Sequence, residues 1–318
     1  MRVQVNRKKS EWGNATIRVP QRSVLGPLLF IIFINDLDSE VSSDISKFAD
    51  DTKIGRKITN LDDVRGLQED LDKLYEWSEK WQMQFNVDKC SIMSIGKNIG
   101  PVDYKINDIT LERTCSVKDL GVQVSNNLRP REQCMIARNK ANRMLGFINR
   151  SVTNRSSEVI LKLYLALVRP HLDYAVQFWT PYYKKDIKSL EAVQRRMTKM
   201  IQGLKKFSYE ERLKRLNLHS LERRRARGDM IEVFKWVKGI NKGDINQVLE
   251  FSNQGVTQGN GYKLKKYRFR TDMGKYWFSN RVVNEWNKLD RSIVGSETLT
   301  SFKKRLDEYM DLREDFCH

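Results

Sequence analysis

From residue 130 onward the apolar residues of this 318-residue chain fall into helical stripes. Cys134, Ala137, Ala141, Met144, Leu145 and Ile148 recur every third or fourth position, as do Ile187, Leu190, Gln194, Met197 and Ile201. That spacing lines one face of a helix. Val159, Leu163 and Leu167 predict another helix, ended by Pro170. Before residue 130 short alternating runs are mixed with helical ones. A strand-containing first part followed by a helical remainder predicts an α+β fold.

Within the first part, Val3 and Val5 with Ile17 and Val19 read as a hairpin around "NRKKSEWGN". Leu25, Leu28, Leu29 and Ile32 predict a largely buried helix with Pro27 in its first turn, where a missing N–H is tolerated. "DISKF" and "TKIGRKI" read as strands flanking Ala49-Asp50-Asp51. Val64, Leu67, Leu71, Leu74 and Trp81 mark an amphipathic helix that begins near Asp62 and Asp63. "KCSIMSIG" and "VKDLGVQV" read as further strands, with a short hairpin between them. In the helical part Ser208 and Glu211 form a capping box. Residues 241–262 are rich in Gly, Asn and Gln and read as a linker or long loop. "KLKKYRFR" and helices around Phe278–Trp286 and Ser301–Met310 follow.

Asp50 and Asp51 need an explanation. Adjacent carboxylates repel, so such a pair faces open water or holds a cation. Asp62-Asp63 is the internal control, because acids are favoured at the positive end of a helix. Asp50-Asp51 lies between two strands and lacks that reason. Two carboxylates at a hairpin tip suit a hard divalent cation, although the three letters "ADD" alone arise by chance in many proteins.

The formal net charge of +18 points to a polyanion: nucleic acid first, an anionic membrane surface second, and a basic protein without such a partner third. The charge is uneven. Residues 131–240 hold 25 Lys and Arg against 10 Asp and Glu, whereas residues 31–80 hold 7 against 13. Arg138, Lys140, Arg143, Arg195, Arg196 and Lys199 lie opposite the apolar stripes and read as nucleic-acid contacts or as a solvated face. Arg223, Arg224, Arg225 and Arg227 crowd the start of one helix, oppose its dipole and call for an anion. Tyr164, Tyr174, Trp179, Tyr182 and Tyr183 could stack on bases, or serve as buried core. Cys90, Cys115, Cys134 and Cys317 are scattered without a CxxC, which argues against zinc and a disulfide framework. The longest apolar run, Leu28 to Ile34, is too short to span a bilayer, and "MRVQVNRKKSEW" is no secretory leader. These features predict an intracellular protein without membrane, in nucleus or cytoplasm; "ERRRARGD" is a weak basic address.

"VPQRSVLGPLLFIIFINDL" followed by "FADD", with Asp50 fourteen residues after Asp36, resembles the palm of reverse transcriptases from non-LTR retrotransposons (LINEs), most closely the jockey-like and chicken-repeat lineage. "LDKLYEWSEKWQMQFNVDKCSIM" resembles the next palm motif and "VKDLGVQVS" the primer-grip strand pair. The resemblance runs on through "LYLALVRPHLDYAVQFWT" to "LTSFKKRLD", nearly the whole chain. It implies a partial palm over residues 1–128, a helical thumb over 129–205, a basic helical region over 206–240, the linker over 241–262 and a C-terminal helical region over 263–318. It further implies RNA-directed DNA polymerase chemistry, a two-metal nucleotidyl transfer using Mg²⁺, an RNA template, a DNA primer and deoxynucleotides. Asp50 and Asp51 match the catalytic metal ligands, with Phe48 packed under the turn. Pro20, Gln21, Arg22 and Ser23 match the turn against nucleotide and template, and Leu120, Gly121 and Val122 the primer grip. Lys89 matches a lysine that helps pyrophosphate leave, or is a solvated lysine before a strand.

Two departures bear on activity. The family's palm has a further aspartate on a strand that would precede "MRVQVNRKKSEW", and Arg18 and Arg22 stand where the family usually has glycine. Arginine brings a Cβ and a long cation where glycine allows close approach. These departures lead to an expectation of negligible extension by this chain alone. A nucleic-acid-binding remnant, or a product of a decayed element without function, stands beside the polymerase reading.

Overall fold

The computed structural model describes residues 4–5, 8–9, 11, 25–96, 100, 102–252 and 260–313. They cluster into two compact units, Met1–Cys115 and Ser116–His318. The class is α+β: long helices with five separate two-stranded sheets.

The first unit opens with β1 (Gln4–Val5) paired to β2 (Lys8–Lys9). This pairing differs from the expected hairpin around "NRKKSEWGN", whose partners Ile17 and Val19 lie outside the described residues. Helix α1 (Gly26–Phe33) has Pro27 in its first turn as expected. The expectation that it is buried is corrected: only Gly26 is, and Ile32 is 63% exposed. Its apolar residues surround the helix, and among them Phe33 packs its ring edge-on to Trp77 and Trp81. Strands β3 (Asp44–Phe48) and β4 (Asp51–Gly55) form an antiparallel hairpin. Helix α2 (Leu61–Lys80) starts in a capping box in which Asn60 accepts from the Asp63 N–H and Asp63 accepts from Asn60. The Thr59 hydroxyl holds the Asp63 carboxyl below its ordinary range. A turn of 3-10 helix (Val87–Lys89) leads to β5 (Ser91–Ile92). The hairpin of β6 (Lys105–Ile106) and β7 (Ile109–Thr110) turns through Asn107 and Asp108, both at positive φ. Asn and Asp tolerate that conformation best after glycine. β8 (Glu112–Arg113) then pairs in parallel with β5. The small core gathers Leu71, Tyr104, Ile106 and Leu111.

One buried carboxylate ties these pieces together. Asp70, 1% exposed on α2, accepts from the backbone N–H groups of Ser42 (3.0 Å) and Ser43 (2.9 Å) and from both hydroxyls. Arg56, just past β4, approaches it at 3.4 Å. Burial pushes the Asp70 carboxyl up, but the hydrogen bonds from Ser42 and Ser43 outweigh burial and leave it below its ordinary range.

In the second unit β9 (Ser116–Asp119) and β10 (Val122–Ser125) form a hairpin. Gln133 on α3 (Arg131–Ser151) accepts from the Gln123 N–H at 2.9 Å, and Val122 enters the core beside Cys134 and Ala137. The hairpin thus clusters with the helices that follow it. α4 (Ser157–Leu163), a π-helical turn (Tyr164–Val168) and α5 (Arg169–Asp173) run as one element through Pro170. This corrects the expected stop at Pro170 and the expected stripe. The buried residues are Ile160, Tyr164, Val168 and Leu172, at a constant spacing of four. A 3.6-residue period drifts off such a row, and the wider π turn restores its phase. α6 (Val176–Trp179) and α7 (Lys184–Met200) complete this core with Leu190, Val193 and Met197. α8 (Tyr209–Arg215) begins in the expected capping box of Ser208 and Glu211.

α10 (Asp272–Tyr276) has no buried residue, and a second core lies among α9 (Leu221–Val237), α11 (Phe278–Lys288), α12 (Arg291–Val294) and α13 (Leu299–Asp311). Phe234 and Phe302 stack at 4.1 Å beside the fully buried Trp286. Arg281 on α11 grips the buried Asp229 of α9 at 2.8 and 2.9 Å and also reaches the Gln177 carbonyl at 2.6 Å. Burial pushes the Asp229 carboxyl up despite this partner. Among the described residues no helix is long and apolar enough to cross a membrane.

Two outcomes follow from these carboxylates. Asp70→Ala should cost about 2–4 kcal/mol, because several donors lose one acceptor. It should abolish slow hydrogen exchange at the Ser46 and Lys53 amides, a hydrogen-bonded pair across β3 and β4, and unchanged protection would contradict this role. Because the folded carboxyl of Asp70 lies below its unfolded value, its contribution is present above about pH 4 and is lost as pH falls through the folded value. Arg281→Met should cost about 3–5 kcal/mol by stranding Asp229. Adding Asp229→Leu should restore most of the melting temperature; a double variant no more stable than Arg281→Met would count against the argument.

Candidate functional site

The two carboxylates of interest sit at the tip of the β3–β4 hairpin. Phe48 pairs with Asp51 across a two-residue turn, Ala49-Asp50. Ala49 takes φ of 52°, a left-handed conformation that costs a residue with a Cβ about 1–2 kcal/mol. The alternation of the strands places Ile45, Lys47, Thr52 and Ile54 on the half-buried face and Asp44, Ser46, Phe48, Asp51 and Lys53 on the open face. Asp50 and Asp51 are both exposed, and neither makes an ion pair or hydrogen bond among the described residues. Phe48 shares their open face and is 63% exposed, which corrects its expected place beneath the turn.

The base of this hairpin is held by Asp70 and its flank by Lys47. The Lys47 ammonium donates to the carbonyls of Ile34 (3.2 Å) and Asn35 (3.0 Å) and to Asp38 at 2.7 Å. A cation is thereby placed at the C-terminal end of α1, where carbonyls lack partners. The same bond from Lys47 holds the Asp38 carboxyl below its ordinary range. Asp36 accepts from the Trp77 indole at 3.2 Å. Two acids near in sequence are therefore occupied, and the tip pair is not.

Asp50 and Asp51 are oxygen donors of the kind a hard cation takes. Among the described residues no group of three or more His, Cys, Asp or Glu is placed to hold a metal ion. The donor set is right in kind and incomplete in number, so no chemical step through a metal is derived from it. The cysteines form no such group either. Cys134 is buried, which pushes its thiol up to about 12, and Cys317 lies outside the described residues.

Lys89 ends the 3-10 turn before β5 with an exposed side chain. Pro20, Gln21, Arg22 and Ser23 lie outside the described residues. Leu120 and Gly121 form the β9–β10 turn, both at positive φ (44° and 86°). Sequence reading missed what holds that turn: the Tyr174 hydroxyl donates to the Leu120 carbonyl at 2.8 Å, and its ring lies where a Cβ on Gly121 would meet it in ordinary van der Waals contact. No local signal links residues so far apart.

The basic residues divide into two kinds. Lys140, Arg143 and Lys199 on α3 and α7 are exposed. Arg138 bonds to Ser189 and Arg196 to Asn142, each bridging these helices. Arg195 lies over the Tyr209 ring at 4.0 Å. The arginines of α9, by contrast, are met from inside the chain. Arg223 is buried against Asp311, Arg224 pairs with Asp173 at 2.9 Å, and Arg227 pairs with Asp307. Arg225 is buried, which pulls its guanidinium down against the opposing charge of Glu191. The expectation that this quartet faces nucleic acid is corrected: protein carboxylates supply the compensating charge. Of the aromatic candidates, Tyr164 and Trp179 are core, while Tyr174 and Tyr183 are exposed.

Residues 2–148 match the family model "Reverse transcriptase (RNA-dependent DNA polymerase)". The chain is 28% identical over 198 residues to the "RNA-directed DNA polymerase from mobile element jockey" of Drosophila funebris, covering 58% of this chain and 22% of that protein. It is 26% identical over 204 residues to the "Probable RNA-directed DNA polymerase from transposon X-element" of Drosophila melanogaster, covering 61% and 22%. The corresponding polymerase of transposon BS from the same species is 26% identical over 229 residues, covering 66% and 25%. These alignments span a quarter or less of the length of each relative. No solved structure matches the chain significantly. Over residues 2–148 the chain matches the reverse-transcriptase family, and its likeness is to the polymerases of jockey-like non-LTR retrotransposons.

Proposed function

We propose that the β3–β4 hairpin is the catalytic hairpin of an RNA-directed DNA polymerase, with Asp50 and Asp51 as its ligands for Mg²⁺. The observation that carries this reading is the pair itself: adjacent, exposed and unpartnered acids on a tip anchored by Lys47 and Asp70, within the family-matched segment. Bound there, Mg²⁺ would stabilise charge on the phosphoryl oxygens of a deoxynucleotide. The chain's own part is to hold two oxygens on a fixed turn, open on the Phe48 face.

The remaining assignments follow the family. Residues 1–128 are read as palm and 129–205 as thumb. Leu120, Gly121 and Val122 are read as the primer grip, with Tyr174 as their brace. Pro20, Gln21, Arg22 and Ser23 are read as the nucleotide and template turn, and Lys89 as an aid to pyrophosphate departure. RNA template and DNA primer are the partners, and Lys140, Arg143 and Lys199 are the phosphate contacts favoured by exposure.

Mn²⁺ reports on this site by electron paramagnetic resonance. Asp50→Ala should weaken Mn²⁺ binding at least about tenfold, since one of two anionic ligands is lost, and Mg²⁺ should compete. Asp62→Ala, in the acid pair of the α2 cap, should change nothing; equal losses in both variants would overturn the assignment. Where a primed RNA template is extended, Asp50→Ala should remove all product. For binding to primed template, Lys140→Ala and Arg143→Ala should each reduce the logarithmic salt slope by about one. Arg223→Ala should instead lower thermal stability, and a reduced salt slope without such a loss would contradict its internal role.

A further inference from the structure

Between the buried Leu264 and the start of α10, residues 265–270 read Lys-Lys-Tyr-Arg-Phe-Arg, and every one is exposed. Both ends of this stretch are fixed. The Leu264 N–H donates to Asn287 at 2.8 Å, and its carbonyl accepts from the same side chain at 2.9 Å. Leu264 also bridges to Phe251. At the other end Thr271 caps α10, and the Phe269 ring lies so close to Gly274 that a Cβ there would overlap it.

The rings and cations are sorted along the stretch. Tyr267 and Phe269 are 43% and 47% exposed and meet edge to face, with centroids 6.3 Å apart. In an extended segment residues two apart share a side, so Lys265 belongs with the rings. Its ammonium sits 5.0 Å from the Tyr267 centroid and pairs with Glu250 at 2.6 Å. Lys266, Arg268 and Arg270, which alternate with the rings, are exposed and have no ion pair or hydrogen bond among the described residues.

We infer that residues 265–270 bind single-stranded nucleic acid, with Tyr267 and Phe269 stacking on bases and Lys266, Arg268 and Arg270 contacting phosphates. Exposed rings need a partner with a free flat face. Unpaired bases have one, whereas bases within a duplex are already stacked on both sides. Two rings among four cations offer too narrow an apolar face to enter an acyl layer. Anchoring at both ends lets the rings meet a strand with little ordering left to do. The segment lies beyond residues 2–148 in the sequence, and the inference does not depend on polymerase chemistry.

The test uses the whole chain and fluorescence anisotropy with labelled oligo(dT) of about 12 nucleotides, a duplex of equal length and phosphatidylserine vesicles. The double variant Tyr267→Ala and Phe269→Ala should weaken oligo(dT) binding about tenfold or more and leave duplex binding nearly unchanged. Tyr267→Trp should bind at least as tightly as the parent. The Tyr267→Ala and Phe269→Ala double variant should bind Mn²⁺ as the parent does, which separates failure here from failure of the catalytic assignment. A strand carrying 5-iodouracil should photocross-link within residues 265–270. Equal losses for strand and duplex, cross-links confined elsewhere, or a preference for vesicles would each overturn the inference. Gly274→Ala should displace the Phe269 ring and reproduce a part of the loss without removing an aromatic group; full affinity in a folded Gly274→Ala would count against the anchored geometry.

Discussion

Among the described residues the β3–β4 hairpin joins no larger sheet, and a lone pair of strands is marginal in water. One buried carboxylate compensates. Asp70 gathers the Ser42 and Ser43 amides before β3, while Arg56 after β4 closes on the same group. Lys47 then fastens the flank to the last carbonyls of α1. The position of Asp50 and Asp51 thus depends on charge-assisted bonds at the base, which release the tip from any structural duty. Acids that take part in no internal bond are the ones left to hold something else.

The helical unit treats charge in the opposite way. The excess of Lys and Arg in residues 131–240 reads as one surface in sequence, yet α9 turns much of its share inward, onto Asp311, Asp173 and Asp307. A related polar cluster lies under α7. Gln194, fully buried, accepts from Tyr164 at 2.7 Å and donates to Tyr209 and to the His219 carbonyl, both at 2.9 Å. Glu191 accepts from the Leu221 N–H and so meets the positive end of α9. Burial pushes the Glu191 carboxyl up while the Tyr209 hydrogen bond pulls it back. Satisfied networks of this kind fix which helix faces meet, since any other arrangement would leave their members unpaired.

Much of this was legible in the sequence for a simple reason: the period of the apolar residues is local. The stripes of α3 and α7 and the hairpin around Ala49-Asp50 could be placed from spacing alone. Three things could not. Whether α1 is covered depends on what packs on it, which composition does not record. The buried row Ile160, Tyr164 and Val168 lies one residue along from the expected Val159, Leu163 and Leu167 at the same spacing, so period alone cannot choose between them. Partners distant in sequence, such as Arg223 with Asp311 or Tyr174 with Leu120, leave no local trace. At the candidate site the acids themselves were legible, because their neighbours gave no structural reason for them. Nothing in the local sequence sets apart their anchors, Lys47 and Asp70.

The central claim is that a tip braced from below presents two free carboxylates to a divalent cation. Paramagnetic broadening of backbone amide resonances during a Mn²⁺ titration tests it most directly. The account requires the amides of Ala49, Asp50, Asp51 and Thr52 to broaden first, and this selectivity to disappear in Asp70→Ala while the α2 cap still folds. Early broadening at Asp62 and Asp63, or a tip response indifferent to Asp70, would contradict it.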